Sequence, residues 1–225
     1  MLFLLNLVVC LSFSIASINV VNSSMTGNLY VFAYTFQPEF CYGTSYPGCK
    51  EPKEYWYKHF TIHGLWPQYS TEGYPSSCSN EPFDPNIPNM IGWDTMTTYW
   101  PDVKYAESEP NYTEFWNHEW SKHGTCSGLS QYDYFTQAIN LIKKVGTPID
   151  FQNAVGGNMS ADVLRNDFGG KDHASLQCTS TKFINGIYTC WSQENGFPQN
   201  QIACPSDVQK EDTCSVTTIV VTAFP

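Results

Sequence analysis

Four ionisable side chains fall within the six residues His118-Glu119-Trp120-Ser121-Lys122-His123. The spacing H-E-x-x-x-H is not that of a zinc pair. At about 100° per helical residue, His118 and His123 point about 140° apart and do not converge on one metal as an i, i+4 pair does. Glu119 and His123 are the i, i+4 neighbours, with Lys122 at i+3 from Glu119. One helical face therefore offers a carboxylate, an ammonium and an imidazole. That set suits a phosphoryl centre, where a cation meets developing charge and a histidine moves protons.

A second stretch is His59-Phe60-Thr61-Ile62-His63-Gly64-Leu65-Trp66-Pro67. His63 reads as the end of a strand before a glycine turn, a position where catalytic side chains are common. His59 and His173 are assigned to structure or surface, and Trp116 and Trp120 to the core.

The elements that must position these residues follow from pattern. Leu29–Phe36 and Phe60–His63 read as strands, and residues 66–88 as a long loop rich in Pro, Gly, Ser and Asn. Helical spacing runs through Ile87–Trp100 and stops at Pro101. A helix over Tyr112–His123 has Asn111 as its N-cap and Gly124 as its C-cap. Tyr132–Val145 is the clearest amphipathic helix, with a shorter one at Ser160–Phe168. Strands return at Ser175–Thr179, Lys182–Trp191 and Val216–Thr222. Helices in the middle and strands at both ends predict an α+β fold with an antiparallel sheet.

The chain has 225 residues with 42% hydrophobic and 14% charged, and 21 acids against 11 bases give a net charge of −10. This composition is globular, and it excludes the basic-face grip by which proteins hold duplex DNA. Residues 1–24 carry no charge and open with an apolar run, which predicts a secretory signal. Cleavage is placed after Ala16, with Ser23 as the other option, leaving a catalytic domain over 25–225. The run is shorter than the roughly 20 residues of a bilayer span, so no membrane partner is expected after its removal. Beyond Cys10, eight cysteines remain: Cys41, Cys49, Cys78, Cys126, Cys178, Cys190, Cys204 and Cys214. An even set in an exported chain implies disulfides, with pairing left open by the count itself. Sequons at Asn22, Asn111 and Asn158 offer glycosylation, the first only if cleavage precedes it.

Phe60–Pro67 and Phe115–Cys126, in this order and separation, closely resemble the two active-site segments of the ribonuclease T2 family of secreted acid endoribonucleases. The cysteines are similar to the family's plant-type pattern, so the resemblance covers roughly residues 28–220. It implies a single disulfide-bonded α+β domain, a twisted antiparallel sheet flanked by helices. It also implies the pairs Cys41–Cys49, Cys78–Cys126, Cys178–Cys214 and Cys190–Cys204. The activity it implies is metal-independent cleavage of single-stranded RNA through a 2′,3′-cyclic phosphate to 3′-phosphate products, with no cofactor. DNA lacks the 2′-hydroxyl nucleophile and is not a substrate.

Matched residue by residue, His63 and His123 are the acid–base pair, with His123 the favoured base. Lys122 and Glu119 stabilise the pentacovalent phosphate, and His118 holds the phosphate. Trp66 and Tyr74 match an aromatic pair that sandwiches one base, and Phe115 the wall of the second base site. Gln68 stands in place of an acid, Phe36-Gln37-Pro38 breaks a Trp-Pro step, and Thr35 replaces a base-contacting glutamine. Low base specificity is the resulting expectation. A monomer, secreted or held in a vacuole or lysosome, completes the picture, with an optimum between roughly pH 4.5 and 6.5 from the unperturbed histidine value of about 6.5. Two other classes compete: a binding or storage protein on the same fold, and a zinc hydrolase.

Overall fold

The computed structural model describes residues 27–224. The signal segment, Cys10 and the Asn22 sequon lie outside the described residues. Among the described residues seven strands form one sheet: β1 Leu29–Thr35, β2 Thr61–Gln68, β3 Gly157–Ser160, β4 Ala174–Thr179, β5 Phe183–Glu194, β6 Phe197–Ile202 and β7 Thr218–Val221. The backbone of the sheet runs β2-β1-β5-β7-β3, with β4 and β6 also on β5. Every ladder is antiparallel save the single parallel pair Phe183↔Val220, so the sheet is mixed rather than wholly antiparallel.

β1 is buried along its whole length, which explains its unbroken apolar and aromatic run. Its alternate residues still serve different faces. Tyr30, Phe32 and Tyr34 join the main core, while Leu29 and Val31 join a smaller cluster with Cys190, Cys204 and Val208.

Nine helices surround the sheet among the described residues: α1 Gln37–Cys41, α2 Pro47–Lys50, α3 Ile87–Ile91, α4 Trp93–Tyr99, α5 Glu114–Lys122, α6 Gln131–Val145, α7 Ile149–Ala154, α8 Ala161–Asp167 and α9 Ser206–Lys210. Helix α6 is the longest, capped by the Ser130 hydroxyl, which accepts from the Asp133 N–H. It buries Tyr134, Phe135, Ala138, Ile139 and Ile142 in the main core, where Trp100, Trp116 and Trp120 meet them. The single helix expected over 87–100 is two, broken at Gly92, whose φ of 113° only glycine adopts freely.

Disulfides join Cys41–Cys49, Cys78–Cys126, Cys178–Cys214 and Cys190–Cys204, the pairs the resemblance implied. Among the described residues no helix is long and apolar enough to cross a membrane.

Candidate active site

β2 runs further than its sequence suggests, through Gly64 and Pro67 to Gln68. His63 therefore does not end a strand, and Gly64 is not a turn. Pro67 is tolerated because β2 lies at the sheet edge. Ala33 pairs with Gly64 and Tyr34 with Ile62, which leaves His63 as the extra residue of a β-bulge. A bulge takes a side chain out of the regular alternation, and this one gives His63 its own direction. The edge of β2 is held by side chains: Trp100 Nε1 donates to the His63 carbonyl at 2.9 Å, and the Tyr134 hydroxyl to that of Leu65 at 2.9 Å. Thr35, at the end of β1, places Oγ1 3.4 Å from His63 Nδ1.

Helix α5 supplies the remaining groups. Trp116 and Trp120 sink into the core and anchor it. A 3₁₀ turn at Pro110–Thr113 precedes the helix, so Asn111 lies in that turn and Thr113 takes the N-cap position without a side-chain cap. At the other end His123, not Gly124, is the C-cap, its N–H still donating to the Glu119 carbonyl at 3.0 Å. Gly124 opens a further 3₁₀ turn, and a Cβ there would overlap the Trp120 ring.

Glu119 is 1% exposed and accepts a 2.8 Å hydrogen bond from Trp66 Nε1. The Trp66 ring stacks on His123 with centroids 5.2 Å apart and meets His63 edge-on at 5.2 Å. One indole thus links both imidazoles and the carboxyl. Gly64 leaves the room for this: a Cβ at that position would overlap both Trp66 Nε1 and the Glu119 carboxyl. His123 is 5% exposed, and its Nδ1 is buried with no hydrogen-bond partner in the structure.

Two cavities meet here. One of about 400 Å³ is lined by Thr35, Phe40, His63, Lys104, Phe115 and His118, among others. The other, of about 250 Å³, is lined by His63, Trp66, Tyr74, His118, Glu119, Lys122 and His123. His63 and His118 line both and so mark their junction. All eight residues singled out for catalysis and substrate contact line one cavity or the other. Tyr74 is half exposed, its ring 6.2 Å from His123. His59 stacks on Tyr55 instead, with centroids 4.4 Å apart, and lines neither cavity. Lys104 and Asp102 carried no sequence signal, because they follow Trp100-Pro101 in a segment without any spacing that points to chemistry.

Burial of the side chains sets the electrostatics. Burial pushes His63 down to about 4, helped by the charges of His118, Lys104 and Lys122. Burial also pushes His123 down to about 3, reinforced by Lys122, His118 and His63. His118 is lowered by burial and then by Lys122 and Lys104. Glu119 is pushed up to about 8 by burial, against the Trp66 hydrogen bond and Lys122, which lower it. At neutral pH the cleft therefore presents neutral imidazoles and a neutral carboxyl beside lysine ammonium groups. Among the described residues no group of three His, Cys, Asp or Glu is arranged to hold a metal.

Residues 27–204 match the model of the Ribonuclease T2 family. Among curated proteins, the chain is similar to a ribonuclease of Aeromonas hydrophila, 31% identical over 164 residues that cover 68% of this chain and 66% of that one. It is 30% identical to ribonuclease DdI of Dictyostelium discoideum over 190 residues, 79% of this chain and 80% of the relative. With several other relatives the match spans less than half their length, as with intracellular ribonuclease LX of Solanum lycopersicum, 36% identical over 48% of this chain and 44% of that one. Among solved structures, ribonuclease MC1 from the seeds of bitter gourd superposes with a TM-score of 0.62 at 26% identity, covering 85% of this chain and 98% of that one.

Proposed function

The chain belongs to the ribonuclease T2 family, and we propose that it is an endoribonuclease that cleaves single-stranded RNA by transphosphorylation. The observation that carries this reading is the junction itself, where imidazoles and a lysine surround the meeting point of two cavities. A dinucleotide needs that shape, with one base in each cavity and the phosphate between them. Phe115 walls one base, and Trp66 and Tyr74 receive the other.

In the proposed reaction, His123 takes the proton of the 2′-hydroxyl as its oxygen attacks phosphorus, and His63 gives a proton to the departing 5′-oxygen. The products are a 2′,3′-cyclic phosphate and a 5′-hydroxyl; water later opens the ring to a 3′-phosphate with the roles reversed. The surroundings of the two rings support this direction. An acid must begin as imidazolium, with two N–H donors, and Thr35 Oγ1 lies where it can accept from His63 Nδ1. His123 is held neutral at the start by burial and by the Lys122 charge, which suits it to take a proton, and it does so through Nε2 because Nδ1 is buried. His118 and Lys122 hold the phosphate and its growing charge. Glu119, protonated below about pH 8, donates its O–H to a phosphoryl oxygen without adding negative charge.

Low base specificity, inactivity on DNA, a monomeric state and an acid optimum belong to the same proposal. Binding of the phosphate anion raises both catalytic imidazoles from their low values in the empty cleft, and activity needs His63 protonated. Four disulfides and exposed sequon asparagines at Asn111 and Asn158 support passage through the secretory pathway to the exterior or a vacuole or lysosome. The test is to assay the disulfide-formed protein with excess EDTA on homopolymer RNAs from pH 4 to 8, with single-stranded DNA alongside. Cleavage of RNA alone with 2′,3′-cyclic phosphate ends is expected. Cleavage of DNA, loss of activity to EDTA, or absence of RNA cleavage would each overturn the reading.

A further inference from the structure

The larger cavity does not end in a closed wall. Its lining includes Phe40, and the Phe40 ring stacks on Tyr46, with centroids 6.2 Å apart and planes at 23°. Tyr46 is 36% exposed and belongs to the short loop closed by Cys41–Cys49. That loop is rigidly placed. Thr44 Oγ1 donates to the Cys41 carbonyl at 3.0 Å, and the Gly48 N–H to the Val103 carbonyl at 3.0 Å. Gly48 sits so close to Val103 that any Cβ would strike its backbone. Val103 lines the cavity, and so does its neighbour Lys104, whose ammonium is exposed to solvent. The cavity therefore runs from His63 to Phe40, on which Tyr46 stacks, and its charged lining is Lys104 with Asp102 and Glu114.

We propose that Phe40 and Tyr46, with Lys104, form a subsite for a third nucleotide, its base stacked on the Tyr46 ring and its linking phosphate paired with the ammonium. The inference rests on the ribonuclease reading, because it takes the cavity as the seat of one of the two nucleotides that flank the cut. The chemistry of the occupant follows from what the rim offers. An aromatic face accepts any base, since every base has a π-face, and a lysine accepts a phosphate without regard to sequence. In a chain with an excess of ten negative charges, Lys104 is the cation this lining offers a polyanion, beside the carboxyls of Asp102 and Glu114. The subsite therefore favours length of RNA rather than sequence, and it acts on one side of the cut only.

The experiment compares dinucleoside monophosphates with trinucleotides extended at either the 5′ or the 3′ end. Wild-type protein is expected to show kcat/KM on the order of tenfold higher for one of the two extensions, and none for the other, as one stacked base supplies. Tyr46→Ala should remove that gain while cleaving dinucleotides at the wild-type rate, and Tyr46→Phe should retain it. Lys104→Gln should weaken the salt dependence of trinucleotide cleavage. Dinucleotide cleavage without gain on either extension, or a gain that survives Tyr46→Ala, overturns the subsite and leaves the ribonuclease reading standing. Failure to cleave any of these RNAs overturns both.

Discussion

The two histidines proposed as the acid–base pair sit in opposite kinds of setting. His63 stands at a bulge in an edge strand, its ring beside a hydroxyl and its carbonyl pinned by Trp100. His123 caps a helix, lies almost fully buried, and has a ring nitrogen with no partner. Both are held below the ordinary histidine range by burial first. The difference lies in which form each setting favours. Thr35 Oγ1 beside His63 Nδ1 favours the imidazolium that gives a proton, whereas burial and the Lys122 charge favour the neutral ring that takes one at His123.

The largest expected effect removes either ring. His63→Ala and His123→Ala should each lower kcat by at least about 10²–10⁴-fold on RNA, while circular dichroism shows an unchanged fold. His59→Ala and His173→Ala should keep most activity. Near-normal turnover in either of the first two would break the comparison at its base. Next comes the glycine that lets the two settings meet. Gly64→Ala forces a methyl group into the Trp66–Glu119 contact, and a displacement of about 1 Å there should cost on the order of 10²-fold in kcat/KM. A fully active Gly64→Ala would show that this hydrogen bond does not position the cleft.

Lys122→Ala should lower kcat more than it raises KM, because its charge is used as negative charge builds on the phosphate. A change in KM alone would make it a ground-state contact.

Thr35→Val is the gentlest test. Losing the acceptor disfavours the His63 imidazolium, so the basic limb of the pH–rate profile should move to lower pH by up to roughly one unit. The acidic limb, set by His123, should stay. Moreover, kcat/KM reports the empty cleft and kcat the occupied one. The optimum of kcat/KM should therefore lie at lower pH than that of kcat, since bound phosphate raises both histidines. A shift of the acidic limb in Thr35→Val, or coincident optima, would count against the assignment.

Much of this arrangement is legible in the sequence, and the parts that are not have physical reasons. The i, i+4 relation of Glu119 to His123 is local, so helical periodicity reveals it directly. Strand β1 announces itself because burial on both faces demands an unbroken apolar run. The position of His63 is misread because a Gly before an aromatic and a proline looks like a turn. Only the partner strand shows that His63 is a bulge, and only Trp66 and Glu119 show that Gly64 is a close-packing residue. The break at Gly92 is hidden for the opposite reason, since apolar spacing continues across it. Asn111 has the right type for a cap, but Pro110 begins a 3₁₀ turn and moves the helix start to Glu114. Lys104 and the contact of Thr35 with His63 are beyond sequence reasoning of this kind, for they reach the cleft from separate segments. The acid–base direction depends on those tertiary neighbours, and no spacing encodes it.

The division of labour between the histidines can be tested directly by changing the leaving group. A uridine 3′-phosphodiester of 4-nitrophenol departs without help from a proton donor, but its 2′-hydroxyl still needs a base. The measurement is kcat/KM for wild-type, His63→Ala and His123→Ala on this ester and on a dinucleoside monophosphate. The account predicts that His63→Ala recovers most of its deficit on the activated ester, whereas His123→Ala remains as impaired as on RNA. Recovery by His123→Ala with continued failure of His63→Ala would contradict it and reverse the two roles.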